Sequence, residues 1–332
     1  MRVLKIAVIG AGHLGRIHIK CIGEVPNLDL VGFYDPDQER GRIIEEEFNV
    51  KYYSSFEELL ALCEAVDIVT PTIYHHAMAL KCLNAGKHVF IEKPIAANVS
   101  EAEEIVQLGI EKNLLIQVGH VERFNPAFQA INNTPLNPMF IEAHRLATFN
   151  PRGTDVSVVL DLMIHDLDLV LAMVNSPISN VYATGVSLIS KTSDISNVRL
   201  EFENGAVANL TASRLSINPM RKLRLFQTDA YISMDFLDKK AQIVRLYESE
   251  PEGRSGQLME FDTQIGKRFL EIEMPESPEV NAIRDELAAF VNSIINNEPS
   301  KVSGQDGLNA LRLAYQIMDA IDQHHEKTKL FN

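Results

Sequence analysis

Short apolar runs alternate with amphipathic stretches through residues 1–119. Residues 6–9 are a continuous apolar run, and 28–34, 66–70, 88–91 and 114–118 are short, mostly apolar runs, the pattern of strands buried on both faces of a parallel sheet. Residues 51–53 predict a shorter strand. Between the runs, Leu14, Ile17, His18 and Cys21 fall on one side of a predicted helix, and residues 38–48 predict a second. Ser54 or Ser55 caps a third, with Glu57 and Glu58 in its first turn and Leu59, Leu60 and Leu62 on its apolar side. Residues 75–84 predict a fourth helix, stopped at Gly86, and residues 100–112 a fifth. Strands that alternate with helices build βαβ units, so the expected architecture is α/β, a doubly wound parallel sheet ending near Gly119.

The rhythm then changes. Residues 121–131 and 158–174 predict helices, and residues 140–147 a strand. Val198, Leu200 and Phe202 alternate with polar residues, Asn204-Gly205 turns the chain, and Ala206, Ala208, Leu210 and Ala212 alternate back. Asn-Gly between two alternating runs is a strong hairpin signal. Strands are expected again at 223–227, 231–235 and 242–247, and helices at 280–296 and 304–324. This is an α+β layout: a mostly antiparallel sheet with helices on one face and the other face open to a partner subunit. The expected domains are residues 1–119 and 120–332, since 332 residues exceed what one core usually holds.

Composition narrows the function classes. A hydrophobic share of 46% with 23% charged residues is that of a soluble globular protein. The net charge of −14, with no long basic run, argues against a nucleic-acid partner. Cys21, Cys63 and Cys82 have no metal-like spacing and lie in apolar surroundings; they predict reduced thiols, no bound metal and a cytoplasmic location. The first strand starts too early for a signal peptide, and no run of about 18 apolar residues predicts a membrane span.

Chemistry enters at the first strand. Gly10, Gly12 and Gly15 follow it in the spacing G-x-G-x-x-G, and Asp35 closes the second strand. The first glycine permits the tight turn, the second lets a pyrophosphate approach the backbone, and the third lets helix and strand pack closely. The helix N-terminus attracts the phosphates, and the acid accepts from a ribose hydroxyl. Pro36-Asp37-Gln38 offers no adjacent arginine for a 2′-phosphate, so NAD is expected rather than NADP. Glu92-Lys93-Pro94 stands at the carboxyl end of a parallel strand, where such sheets bind ligands; a plain surface lysine is the alternative. Asp161 and His165, four apart in an apolar helix, share a face, with Asp168 close to the same side. A hydrogen-bonded core pair and a metal site compete there with catalysis. Arg214, Arg221, Lys222 and Arg224 are cations able to meet a diphosphate, or a solvated strand edge.

GAGHLGRIH at 10–18, TPTIYHH at 70–76, AGKHVFIEKP at 85–94 and DLMIHDLD at 161–168 together resemble the Gfo/Idh/MocA family of NAD(P)-dependent sugar and cyclitol oxidoreductases. The resemblance implies a Rossmann domain followed by a substrate and oligomerisation domain, with a homodimer or homotetramer formed through the open sheet face. It implies catalysis by Lys93, Asp161 and His165. It also implies cofactor contact by Gly10, Gly12, His13, Leu14, Gly15, Asp35, Thr70, Pro71, His75, Glu92 and Lys93, and substrate contact by Arg123, Asn125, Arg214 and Arg221. Thr72, where the family usually has Asn, and Ser157-Val158-Val159, in place of a glycine run, depart from its pattern. VERFNPAF at 121–128 and the run from 208 to 236 are similar to the branch that oxidises UDP-N-acetylglucosamine at its 3-hydroxyl. That likeness implies a UDP-sugar substrate. A free sugar, inositol or glycoside is the alternative substrate, and an NAD-sensing regulator without turnover is the alternative class. Which of Lys93 and His165 takes the proton stays open in the sequence.

Overall fold

In a computed structural model, which describes residues 2–151, 156–253, 256–264, 266–278 and 280–329, the chain forms two units. The first comprises residues 1–124 and 280–312, and the second residues 125–279 and 313–332. Unit 1 is built on β1 (Leu4–Ile9), β2 (Leu28–Tyr34), β3 (Tyr52–Tyr53), β4 (Ala65–Ile68), β5 (His88–Glu92) and β6 (Ile116–Gly119). These strands lie in the order β3-β2-β1-β4-β5-β6, and every neighbouring pair is parallel. The order reverses beside β1, the switch point at which open α/β sheets bind ligands.

The connecting helices are α1 (His13–Ile22), α2 (Gln38–Phe48), α3 (Phe56–Leu62), α4 (His75–Asn84) and α5 (Val99–Lys112). Three start on side-chain caps: Asp37, Ser55 and Asn98 accept the backbone N–H of Arg40, Glu58 and Glu101. α1 differs. Its N-cap is Gly12, without a side chain to satisfy the first-turn donors, and no acid lies in its first turn. α2, α3 and α5 start with a built-in acceptor, whereas α1, like α4, does not; at α1 the open donors follow the glycine turn and are free for an external anion. Cys21, Cys63 and Cys82 are free and buried; burial pushes the Cys63 thiol up to about 11.

Unit 2 is a nine-stranded sheet of β7 (Phe140–Leu146), β8 (Ile178–Val186), β9 (Ile195–Phe202), β10 (Val207–Ser213), β11 (Met220–Phe226), β12 (Ala230–Asp235), β13 (Lys240–Tyr247), β14 (Gln257–Thr263) and β15 (Gly266–Glu273). The order is β14-β15-β13-β12-β11-β7-β10-β9-β8. β7 and β10 pair in parallel; the other neighbours are antiparallel. The hairpin at Asn204-Gly205 forms as expected, with Gly205 at φ +85°. β14 and β15 carry no alternating pattern, because β14 is exposed along nearly its whole length, and the sequence reading misses both.

Two predicted helices change form. Residues 121–131 split into a 3-10 turn, Val121–Phe124, and α6 (Pro126–Gln129). Pro126 has no N–H to continue the turn, so Asn125 caps a new start. Residues 158–174 open as a π turn, Val159–Met163, and continue as α7 (Ile164–Met173). Ile141, Ala143, Leu210, Leu223, Leu225 and Ile232 of the sheet pack on Val159, Met163, Leu167 and Val170 of this helical segment.

The expected boundary at 119/120 is corrected by the last two helices, α8 (Ala282–Asn296) and α9 (Gly304–Lys329). Leu287, Phe290, Val291 and Ile294 of α8 complete the core of unit 1, and the Phe90 and Phe290 rings meet edge-on at 5.9 Å. Leu313, Ala314, Ile317 and Ile321 of α9 join the core of unit 2. Apolar faces of 3.6-residue period announce these helices but not which core they fill.

Candidate active site

The dinucleotide cradle is built at the end of β1. Gly10 turns the chain at φ +96°, and a Cβ there would lie 2.9 Å from Val69 O. A Cβ on Gly15 would sit 2.1 Å from Gly10 O, whereas one on Gly12 would meet nothing within 4 Å. The first and third glycines thus fix the turn, and the second faces open space. That space is a cavity of about 680 Å³ lined by Gly10, Gly12, His13, Leu14, Asp35, Thr70 and Pro71, with Tyr34, Pro36, Arg40, Val69, Tyr74 and Met78. The size, the uncapped helix N-terminus and the acid at the end of β2 fit a dinucleotide.

Asp35 does more than face the cavity. Its side chain is almost wholly buried; Oδ2 accepts Ala11 N–H and Oδ1 accepts Asp37 N–H, both at 2.9 Å. The carboxylate therefore ties the glycine loop to the end of β2. Residues 36–38 carry no arginine, yet one turn of α2 returns Arg40, whose Nη1 stands 3.3 Å from both Asp35 oxygens. The expectation that no guanidinium attends Asp35 is overturned by the helical period.

Four residues expected at the cofactor are not among those that line this cavity. Gly15 packs on the turn, as above. His75 is buried between two strand ends, Nε2 2.8 Å from Thr70 O and Nδ1 2.9 Å from Pro94 O. Burial lowers its pKa, against the pull of those two carbonyls. Glu92 is buried, with Oε2 accepting Lys93 N–H at 3.1 Å and Oε1 3.1 Å from His18 Nε2. Lys93 itself is half-buried just after β5, and its peptide to Pro94 is cis. Because Thr70 lines the cavity and His75 links Thr70 to Pro94, the Lys93 turn is tied to the cavity wall.

In unit 2, Asp161 lies in the π turn and His165 in the first turn of α7. Ile164 N–H donates to Val159 O, five residues back, so one extra residue is accommodated between the two side chains' turns; π turns of this kind recur at functional sites. Both residues are half-buried, while Val159, Met163, Leu167 and Val170 point into the core. Asp168 is buried instead of sharing that rim. The strongest pair in this region was not legible as a site: Arg145 on β7 holds Asp166 through two contacts, Nε–Oδ2 at 2.9 Å and Nη2–Oδ1 at 2.7 Å. Arg145 is the third inward position of an alternating strand, after Ile141 and Ala143, and that register is the signal that predicts its burial.

The expected diphosphate cations separate. Leu223 and Leu225 of β11 face the core, so Arg221 stands on the helix-bearing side while Lys222 and Arg224 project from the opposite face. There Lys222 meets Asp235 at 3.1 Å and Arg224 pairs with Glu142. Arg214 is buried; it donates to Val156 O, and its Nε is 3.9 Å from Asp194 Oδ1. Asn125 is used as a cap and donates to Phe236 O at 3.1 Å. Arg123, in unit 1, lies 3.8 Å from Asp306.

A dinucleotide cradle at a switch point, a lysine tied to its wall, and an acid and a histidine on one rim of a second unit define a dinucleotide-dependent oxidoreductase. The chain belongs to the Gfo/Idh/MocA oxidoreductase family. Residues 4–120 match that family's NAD-binding Rossmann fold, and residues 130–233 its C-terminal domain. The chain is 34% identical over 320 residues to UDP-N-acetylglucosamine 3-dehydrogenase of Acidithiobacillus ferrooxidans, covering 96% of this chain and 97% of that protein. A solved structure of that enzyme superposes with a TM-score of 0.87 at 33% identity, over 97% of this chain and 99% of the other. Myo-inositol 2-dehydrogenase of Thermotoga maritima is 25% identical over 96% of this chain and 97% of its own length. Scyllo-inositol dehydrogenase of Lactobacillus casei, solved with NAD(H) and scyllo-inositol, shares the fold with a TM-score of 0.75 at 22% identity, over 97% of this chain and 98% of its own. Among the described residues no helix is long and apolar enough to cross a membrane.

Proposed function

We propose that this protein oxidises the 3-hydroxyl of UDP-N-acetylglucosamine with NAD. The observation that carries the reading is the end-to-end match to an enzyme of that name, 34% identical with almost nothing unmatched in either chain. NAD, when bound, supplies the hydride acceptor. Lys93 hydrogen-bonds the reacting oxygen and stabilises the negative charge that develops there. His165 takes the hydroxyl proton, since a neutral imidazole works near pH 7, and Asp161 orients it. Binding of the UDP end, remote from the reacting carbon, aligns the sugar; Arg221 is the cation best faced for it.

The test is mass spectrometry of UDP-N-acetylglucosamine after incubation with NAD and an aminotransferase that traps the ketone. The expected result is a sugar nucleotide whose 3-hydroxyl is replaced by an amino group, with NADH formed and the aminotransferase's amino donor consumed, and with free N-acetylglucosamine a far poorer substrate. No such product, alongside NADH formation from a free sugar or inositol, would favour the second reading, which the T. maritima relative supports. We further propose that the open sheet face is a subunit interface in a cytoplasmic oligomer. Phe140, Phe226 and Tyr231 form an aromatic row there, with ring centroids 5.8 and 4.9 Å apart, the composition expected at the centre of a buried patch.

A further inference from the structure

Among the buried ionisable side chains of unit 1 that do not line the cavity, four form a cluster: His18 on α1, Asp67 on β4, Glu92 at the end of β5 and Glu286 on α8. His18 stands between two carboxyl groups: Nδ1 is hydrogen-bonded to Asp67 Oδ2 at 2.8 Å, and Nε2 lies 3.1 Å from Glu92 Oε1, close enough for an ion pair but off hydrogen-bond geometry. An imidazole whose two nitrogens both face carboxylate oxygens is satisfied only with both protonated. Burial pulls the other way, but the Asp67 and Glu92 charges outweigh it and hold the His18 pKa well above its ordinary value. Glu286 has both carboxyl oxygens buried without a hydrogen-bond partner among the described residues. One of them lies within 4.8 Å of the His18 and Glu92 atoms. Burial, and then the Glu92 charge, raise its pKa well above the ordinary carboxylate value. The cluster is thus one imidazole between two carboxyl groups, with a third, unpartnered carboxyl beside them.

Glu92 connects this cluster to chemistry. Its carboxylate is a rigid plane: Oε1 faces His18 and Oε2 accepts the N–H of Lys93 at 3.1 Å. Gly119 closes the remaining side, since a Cβ there would stand 2.8 Å from Glu92 Oε1. Fixing Oε1 therefore fixes Oε2, and with it the backbone from which the Lys93 side chain springs. On the far side of Lys93, Pro94 O is held by His75. Without His18, Glu92 Oε1 would lose the contact that holds the plane of its carboxyl, loosening the acceptor of the Lys93 N–H.

We propose that His18 is a positioning residue for Lys93, acting through Glu92. The inference rests on the reading that Lys93 acts on the reacting oxygen. Asparagine and glutamine separate the two sides of the ring: Asn places an amide where Nδ1 stood and reaches only Asp67, whereas Gln places one nearer Nε2 and reaches Glu92. His18→Asn should speed amide hydrogen exchange at Lys93 at least tenfold in the ligand-free protein and lower kcat at least tenfold. The dissociation constant for NAD should stay within threefold. His18→Gln should keep most of both properties even where the melting temperature falls, a split that a merely structural histidine would not show. Unchanged exchange at Lys93 in His18→Asn overturns the proposal. So does native kcat in His18→Asn while Lys93→Met is inactive. If His18→Asn does not fold, Glu92→Gln takes its place with the same expected losses, and native exchange and turnover there overturn the proposal equally. Full turnover by Lys93→Met instead overturns the reading of Lys93, and the exchange data then decide the positioning alone. A stoichiometric divalent metal in the purified protein, lost in Glu286→Gln, would also overturn the proposal, because the charge beside Glu92 would then belong to the ion.

Discussion

Asp35 and Arg40 exert opposite forces on the 2′ position of an adenosine ribose, and their balance sets the cofactor preference. A carboxylate and a phosphate in contact, about 4 Å apart, repel by about 4 kcal/mol per unit charge at an effective dielectric of roughly 20. Arg40 offsets part of this. Its Nη1 is 3.3 Å from Asp35 Oδ1, but the guanidinium is 48% exposed, so solvent and salt hold its contribution to about 1 kcal/mol. The difference, about 3 kcal/mol, corresponds to a preference for NAD over NADP on the order of a hundredfold. Arg40→Ala should weaken NADP about fivefold further and leave NAD nearly unchanged, since it removes about 1 kcal/mol of attraction for the extra phosphate alone. Asp35→Asn should bring the two dinucleotides toward parity, and should weaken both somewhat by loosening the bond to Ala11 N–H. The assay is titration calorimetry of the ligand-free protein with each dinucleotide at two ionic strengths. NADP binding within threefold of NAD in the native protein would refute the electrostatic argument, as would tighter NADP binding after Arg40→Ala.

The remaining expectations concern the proposed chemistry and the interior of unit 2. Lys93→Met and His165→Ala should each lower kcat by about two orders of magnitude or more with little change in NAD affinity; near-native turnover in either variant removes that residue from the mechanism. Arg145→Met and Asp166→Asn should each cost about 3–5 kcal/mol in urea unfolding, because each leaves a buried partner uncompensated; the two together should cost less than their sum. Asp194 accepts from the N–H groups of residues 188–190 at 2.7, 2.8 and 3.1 Å. Despite burial, these bonds and the Ser190 hydroxyl hold its pKa far below the usual value. Its stabilisation is therefore present above about pH 4 and is lost as pH falls through the depressed folded-state value. Asp194→Asn should cost about 2 kcal/mol at pH 7, with the gap to native shrinking in the acid limb of a stability-versus-pH curve. Arg221→Ala should raise KM for a UDP-sugar at least tenfold, whereas Lys222→Ala, on the opposite face, should not; equal effects would undo the assignment of faces.

Most of unit 1 was legible because its rules are local. Gly10, Gly12, Gly15 and Asp35 announce the cradle within 26 consecutive residues, and the tight turn at Gly10 and the close packing at Gly15 are met in the structure. Asp37, Ser55 and Asn98 act as caps at the starts of their helices. Arg40 escaped because the sequence reading looked for a neighbour of Asp35 along the chain, and a helix supplies neighbours by its period instead. The same error of dimension placed Lys222 and Arg224 beside Arg221, although successive residues of a strand face opposite ways.

What stayed hidden shares one property: its meaning lies in a partner far along the chain. His18 is an ordinary member of an amphipathic helix until Asp67, 49 residues on, meets its ring. The backbone of Glu286 accepts from Gln117, 169 residues away, and its side chain looks like any helical glutamate in a sequence read alone. Periodicity can say that such a residue is turned inward. A charged residue turned inward then demands compensation, because an isolated buried charge is too costly to persist. The inward position of Arg145 in an alternating strand, and of Asp67 among the apolar residues of β4, are therefore two points where pattern alone contradicts composition. Both resolve into ion pairs that adjoin the residues proposed for catalysis: Asp166 follows His165, and the acid that His18 shares with Asp67 precedes Lys93. In each case one member of the buried charged cluster, Asp166 or Glu92, lies one residue from a group proposed for catalysis, and the demand that it be paired restrains the backbone there.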